Sequence, residues 1–102
     1  MMLFAVLFED DANRADDIRR KHMPAHLEFL ERNASVIRAA GPLRDADDTP
    51  AGGLWVVQAD DREQVETLVQ VDPLWLTGLR RSVRVLAWTQ VFADGARGGR
   101  QD

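Results

Sequence analysis

The sequence predicts one α+β domain whose elements run βαββαβ, folded as a four-stranded antiparallel sheet with both helices on one face. Three observations carry this prediction. Four runs of apolar and β-branched residues have strand length, two stretches repeat their apolar residues at helical spacing, and the two kinds follow one another in that order.

The first strand is Met2–Phe8, a continuous apolar run closed by Glu9-Asp10-Asp11 and Asn13, which places it centrally in the sheet. From about Arg14 to Asn33 the spacing becomes helical. On a wheel of ~100° per residue, Arg20, Lys21, Glu28, Glu31 and Arg32 fall on one side, with Ile18, Met23, Ala25, Leu27, Phe29 and Leu30 on the other. Pro24 lies inside this stretch and deprives the Arg20 carbonyl of its helical donor, so a kink or a helix restart is expected there. Ser35–Ala40 reads as the second strand, stopped by Gly41-Pro42, and residues 44–50 have loop composition ending at Gly52-Gly53. Leu54–Ala59 reads as the third strand.

Asp61 with Gln64 three residues on is a capping signal, and Val65, Leu68 and Val69 continue a helix that starts at about Arg62. Asp72-Pro73 restarts it, with a carboxylate at the cap and proline at the first helical position, and Gly78 marks the end. The fourth strand is expected from about Val83 to Phe92. This makes residues 1–93 one ferredoxin-like domain and leaves the Gly-rich segment 94–102 as a flexible tail.

The strands carry apolar residues on both faces: Trp55 and Val57 against Leu54 and Val56, Leu86 and Trp88 against Val85 and Ala87. Two helices on one side cover a single face. An antiparallel sheet with a solvated second face alternates apolar with polar, so this face is expected to pack on the same face of a second copy, making a homodimer.

Composition narrows the function classes. A formal net charge of −4 lacks the basic stripe that nucleic acid requires. There are no cysteines, which removes thiolate chemistry and cysteine metal sites and agrees with a cytoplasmic location. The apolar start is far shorter than the ~20 residues that span a bilayer and has no basic lead-in, so neither a signal nor a membrane partner is expected.

His26 lies near the middle of the apolar arc of the first helix, where a solvated histidine has no place. Its plain reading is a structural histidine donating to a backbone carbonyl. Its functional reading is a pocket base, since an imidazole exchanges protons near neutrality. Asp72 caps the turn begun by Pro73, and a capping aspartate that gives one oxygen to backbone donors can offer the other to an imidazole. His22 and His26 stand four apart, but Pro24 disturbs the geometry between them and no motif glutamate follows His22, so no metal is assigned. Asp45, Asp47 and Asp48 lack the glycine and terminal glutamate of a calcium loop. No glycine pair precedes a helix in a dinucleotide-binding pattern, and no cofactor is expected. Gly41 can let a ligand approach the main chain, and Trp75, close to Asp72, can wall a pocket.

The first strand, Pro24-Ala25-His26-Leu27, Ala40-Gly41-Pro42, and Asp72-Pro73 with Gly78 together resemble the YCII-related (YCII-like) proteins over nearly the whole chain through Phe92. The resemblance implies membership of the dimeric α+β barrel superfamily, a fold similar to muconolactone isomerase, a pocket near the dimer interface and a His-Asp dyad carried here by His26 and Asp72. Most such proteins have no assigned reaction, while a related dehydrochlorinase of aromatic degradation places catalysis on the scaffold. Two positions depart from the family pattern: Met23 stands where an arginine is common, and Leu74 where an aromatic residue often follows Asp-Pro. Arg19, two turns before His26, is the candidate substrate contact in place of that arginine, against the plainer reading of a solvated side chain.

The expected function is therefore lyase- or isomerase-like proton transfer on an unknown small molecule, with His26 and Asp72 catalytic and Arg19, Gly41 and Trp75 binding. The alternative is a non-catalytic dimeric module that binds a small ligand or another partner.

Overall fold

The computed structural model describes residues 1–98. Its elements are β1 (Met2–Asp10), α1 (Ala15–Arg32), β2 (Ile37–Arg44), β3 (Pro50–Ala59), α2 (Arg62–Val71), α3 (Pro73–Leu76), β4 (Arg80–Ala87), β5 (Phe92–Ala93) and β6 (Ala96–Arg97). β1 to β4 form one antiparallel sheet in the order β2-β3-β1-β4, with the helices packed against one face. This is the expected α+β, ferredoxin-like arrangement.

Period-2 alternation decides what the helices cover. Phe4, Val6 and Phe8 of β1 pair with Val57, Trp55 and Gly53 of β3, and this inward set is buried. Ile37 joins it from β2, Phe29 from α1, and Val65 and Val69 from α2. Phe8 meets Trp55 edge-on with ring centroids 5.0 Å apart, a favoured aromatic geometry. A second buried cluster, Ala15, Ile18, Leu74 and Leu79, ties the start of α1 to α3 and the entry to β4. The opposite sheet face carries Leu3, Ala5, Leu7, Leu54 and Val56, all only partly buried in one chain.

α1 is one helix through Pro24 rather than two. Its buried stripe is Ala15, Ile18, His26 and Phe29, while Ala25 and Leu27, placed on the apolar arc by the wheel, are exposed, Leu27 by 50%. The covered stripe is therefore narrower than the arc of apolar residues. β2 and β3 are longer than expected: Gly41-Pro42 continues β2, with Pro42 opposite Gly53. Proline is tolerated there because β2 is an edge strand, where a missing N–H breaks no ladder on the open side. The intervening loop shrinks to Asp45–Thr49, closed by the Asp45 N–H donating to the Thr49 carbonyl. Thr49 hydrogen bonds, side chain first and then backbone, hold the Asp47 carboxyl below the usual carboxylate range.

β4 begins at Arg80 and stops at Ala87, instead of running from Val83 to Phe92. Phe92–Ala93 pairs with Ala96–Arg97 around Asp94-Gly95, both at positive φ, so part of the expected tail is a two-residue hairpin. An Asp-Gly pair is the sequence signal for such a turn. The last four residues of that expected tail, 99–102, lie outside the described residues.

Gly52 is the tightest backbone position. Its φ is +131°, and a Cβ there would stand 1.9 Å from the Phe8 carbonyl oxygen. Gly52→Ala is expected to lose about 2 kcal/mol or more of stability. Urea denaturation checks this, and an unchanged midpoint would contradict the close approach of β1 and β3.

Candidate functional site

The site is assembled where α1, the Asp72 cap and the ends of β1 and β4 meet. His26 lies one turn before Phe29 on the buried stripe of α1, and the residue is 5% exposed. Asp72 ends α2 and opens α3 in an extended conformation (φ −66°, ψ 130°), the backbone that a following proline favours. The His26 Nδ1–H donates to Asp72 Oδ1 at 2.8 Å, because an ionised carboxylate can only accept. The Leu74 backbone N–H donates to the same oxygen at 3.1 Å. Capping and histidine contact thus share Oδ1, whereas the sequence suggested one oxygen for each. Asp72 Oδ2 is sealed and makes no hydrogen bond.

Behind the pair lies a string of alternating charges. Arg80 Nη2 stands 3.7 Å from Asp72 Oδ2, Arg80 Nη1 donates to Asp10 Oδ1 at 3.2 Å, and Arg19 Nη2 donates to Asp10 Oδ2 at 2.7 Å. Asp10 and Arg80 were not legible as site residues. Asp10 shares the inward parity of Phe4, Val6 and Phe8, a signal masked by its place in the acidic run after β1. Arg80 is turned inward by a register shift opposite Glu9 and Asp10, which skips Arg81 and reverses the parity set by Val83 and Val85. Burial pushes the Arg80 guanidinium below its ordinary pKa, Asp10 pulls it back up, and Arg19 adds to the depression.

His26 borders a cavity of about 90 Å³ whose walls include Arg19, Met23, Leu30, Gly41 and Trp55. Among the described residues the buried, unpartnered side-chain atoms are Asp72 Oδ2 and Arg80 Nε. His26 Nε2 is therefore neither hydrogen-bonded nor sealed, and the remaining N–H groups of Arg19 are likewise open. Imidazole and guanidinium reach the same hollow from one face of α1, seven residues apart. Gly41 contributes its backbone; a Cβ there would meet nothing within 4 Å, so nothing inside the chain demands glycine.

Trp75 lies elsewhere, on a cavity of about 330 Å³ with Arg62, Val83 and Val85. A wider concavity, about 600 Å³, is an open cleft between the start of α1 and α3 lined by Arg14, Lys21, His22 and Leu76. His22 and His26 thus serve different hollows. We place the site at the smaller cavity because the buried titratable groups converge there. Among the described residues, no cluster of three or more histidine or carboxylate ligands is arranged for a metal.

Residues 2–89 match the YCII-related domain. The chain belongs to the YCII-related domain family. A relative in Bacillus subtilis (strain 168), the uncharacterised protein YjpA, is 31% identical over 67 residues, which are 64% of this chain and 74% of YjpA. Among solved structures, the chain is similar to 5-chloro-2-hydroxyhydroquinone dehydrochlorinase (TftG) from Burkholderia phenoliruptrix AC1100 in complex with 2,5-dihydroxybenzoquinone. That likeness has 27% identity and a TM-score of 0.75, covering 86% of this chain and 94% of TftG. An uncharacterised NIPSNAP domain protein from Burkholderia xenovorans shares the fold at 14% identity and a TM-score of 0.53, over 88% of this chain and 94% of its own.

Asp72→Ala separates a simple cap from a shared acceptor. Loss of a cap alone removes about 1 kcal/mol. Taking the acceptor from buried His26 and one of its two counter-charges from buried Arg80 is expected to raise the loss to about 3–5 kcal/mol in chemical denaturation. A loss near the first figure would show that Asp72 holds only the α3 turn.

Proposed function

We propose that this YCII-related protein is a cytoplasmic, homodimeric small-molecule enzyme that catalyses elimination or isomerisation by proton transfer at His26. The supporting observation is the 2.8 Å bond from His26 Nδ1 to buried Asp72, which leaves Nε2 open at the wall of a cavity. Asp72 fixes the tautomer with Nδ1 protonated, so neutral His26 presents Nε2 as a base. When Nε2 takes a proton from a substrate C–H or O–H, the carboxylate stabilises the imidazolium. The open N–H groups of Arg19 face the oxygen on which the electron pair accumulates.

In an elimination, the C–H bonding electrons form a new double bond and the leaving group departs with its own pair. In an isomerisation, Nε2–H returns the proton to a different atom of the same molecule. Either needs only a base that becomes an acid, and the site offers no nucleophilic cysteine. The likeness to TftG supports a small hydroxylated ring as the substrate class. A hollow of about 90 Å³ is smaller than the ~150 Å³ cavity that holds benzene, so one chain receives the reacting edge of such a ring rather than all of it. The apolar outer sheet face, with Leu7, Leu54 and Val56 half-buried, supports self-association.

Chloride release from 5-chloro-2-hydroxyhydroquinone tests the chemistry. The native protein is expected to release chloride, and His26→Gln to slow it by about 10²–10⁴-fold. Tight binding of 2,5-dihydroxybenzoquinone with no chloride release would favour the non-catalytic binding module instead. Self-association is tested separately by sedimentation, where the native protein is expected at twice its 11.5 kDa chain mass and Leu7→Glu/Val56→Glu at the chain mass. A native monomer at micromolar concentration would contradict the dimer.

A further inference from the structure

We infer that Arg80 is a positioning residue for the dyad, a buried cation that draws on Asp72 from behind and thereby sets the pH at which the His26–Asp72 pair takes up its proton. This rests on the reading of that pair as an acid–base unit. It starts from an asymmetry in the carboxylate: Oδ1 accepts from His26 and Leu74, whereas Oδ2 is sealed and without a hydrogen bond. At 3.7 Å, Arg80 Nη2 is too far from Oδ2 for a hydrogen bond but close enough to act as its counter-charge.

Arg80 is not held in place by the dyad. Asp10 accepts from its Nη1 at 3.2 Å, and the Phe8 ring lies 3.9 Å from the guanidinium carbon. A Cβ at Gly53 would come 2.9 Å from Nη1, so β3 leaves room for the guanidinium by having no side chain there. Strands β1 and β3 therefore clamp the cation independently of α1 and α3. Its side chain is 2% exposed, so although Arg80 borders the cavity its charge is poorly screened and acts as a strong local field.

The sign follows from the charges. Asp72 favours a proton on the imidazole, and a cation behind Asp72 weakens that pull. The groups facing the pair are Arg19 on α1, Asp10 on β1 and Arg80 on β4; Ala40, Gly41, Pro42 and Trp55 on β2 and β3 bring no titratable side chain, and His22 lines a different cleft. With neutral histidine, Arg19, Asp10, Arg80 and Asp72 sum to zero. Removing Arg80 leaves an excess anion beside the imidazole, and the pair protonates at higher pH.

The test follows the ring resonances of His26 by NMR through a pH titration, with His22→Gln assigning the two histidines. Arg80→Met is expected to move the midpoint up by about one unit or more, and Arg80→Lys to return it towards the native value. Should Arg80→Met fail to fold, Asp10→Asn carries the same test with the opposite sign, because Arg19, Arg80 and Asp72 then leave one excess cation and the midpoint falls. A midpoint unmoved in either variant, or moved the other way, overturns the inference. Failure of the enzymatic reading is seen differently, as turnover unaffected by His26→Gln while these titrations still shift.

Discussion

One carboxylate oxygen, Asp72 Oδ1, joins the two halves of the helical layer. It accepts the backbone N–H that starts α3 and the imidazole N–H that projects from α1, so the position of His26 is fixed by the same atom that restarts the chain after α2. Any movement of α1 against α3 would break a buried, charge-assisted hydrogen bond. That is expensive where both partners are buried. Beneath the joint, the Ala15, Ile18, Leu74 and Leu79 cluster supplies non-directional packing, and the joint supplies direction.

The sheet contributes more than a platform. The end of β1 places Asp10 on the inward face, and the register shift beside it turns Arg80 inward as well. Without that shift Arg81 would stand opposite Asp10 in place of Arg80. The irregularity thus converts the fraying end of a strand pair into the second layer of the site. The outcome is a row of alternating charges running from Arg19 through Asp10 and Arg80 to Asp72. Buried ion pairs of this kind contribute little net stability compared with apolar packing, which argues that their value lies in orientation and field.

The parts of this arrangement visible in the sequence were those written in local pattern. Asp72-Pro73 announced a cap, the placement of His26 among apolar residues announced burial, and apolar residues on both strand faces announced the half-buried apolar outer face. The parts that stayed hidden depended on pairing between distant segments. Arg80 reads as a solvated turn residue until its register opposite Asp10 is known, and Asp10 reads as one of three acidic turn residues until β1 is extended over it. Gly41-Pro42 looked like a stop because local chemistry does not say that β2 is an edge strand. Trp75 walls a cavity, as its size suggested, but a different one from that of His26: three residues from Asp72, it lies between α2 and β4, because a helical turn rotates neighbours onto different faces.

The account depends on a single tautomer held by a single bond. The ring ¹⁵N shifts of neutral His26 report it directly: Nδ1 is predicted to carry the proton and Nε2 to show the shift of an unprotonated nitrogen, with the distinction lost in Asp72→Asn. A ring with its proton on Nε2, or one averaging between both forms in the native protein, would contradict the joint from which the site and its chemistry are built.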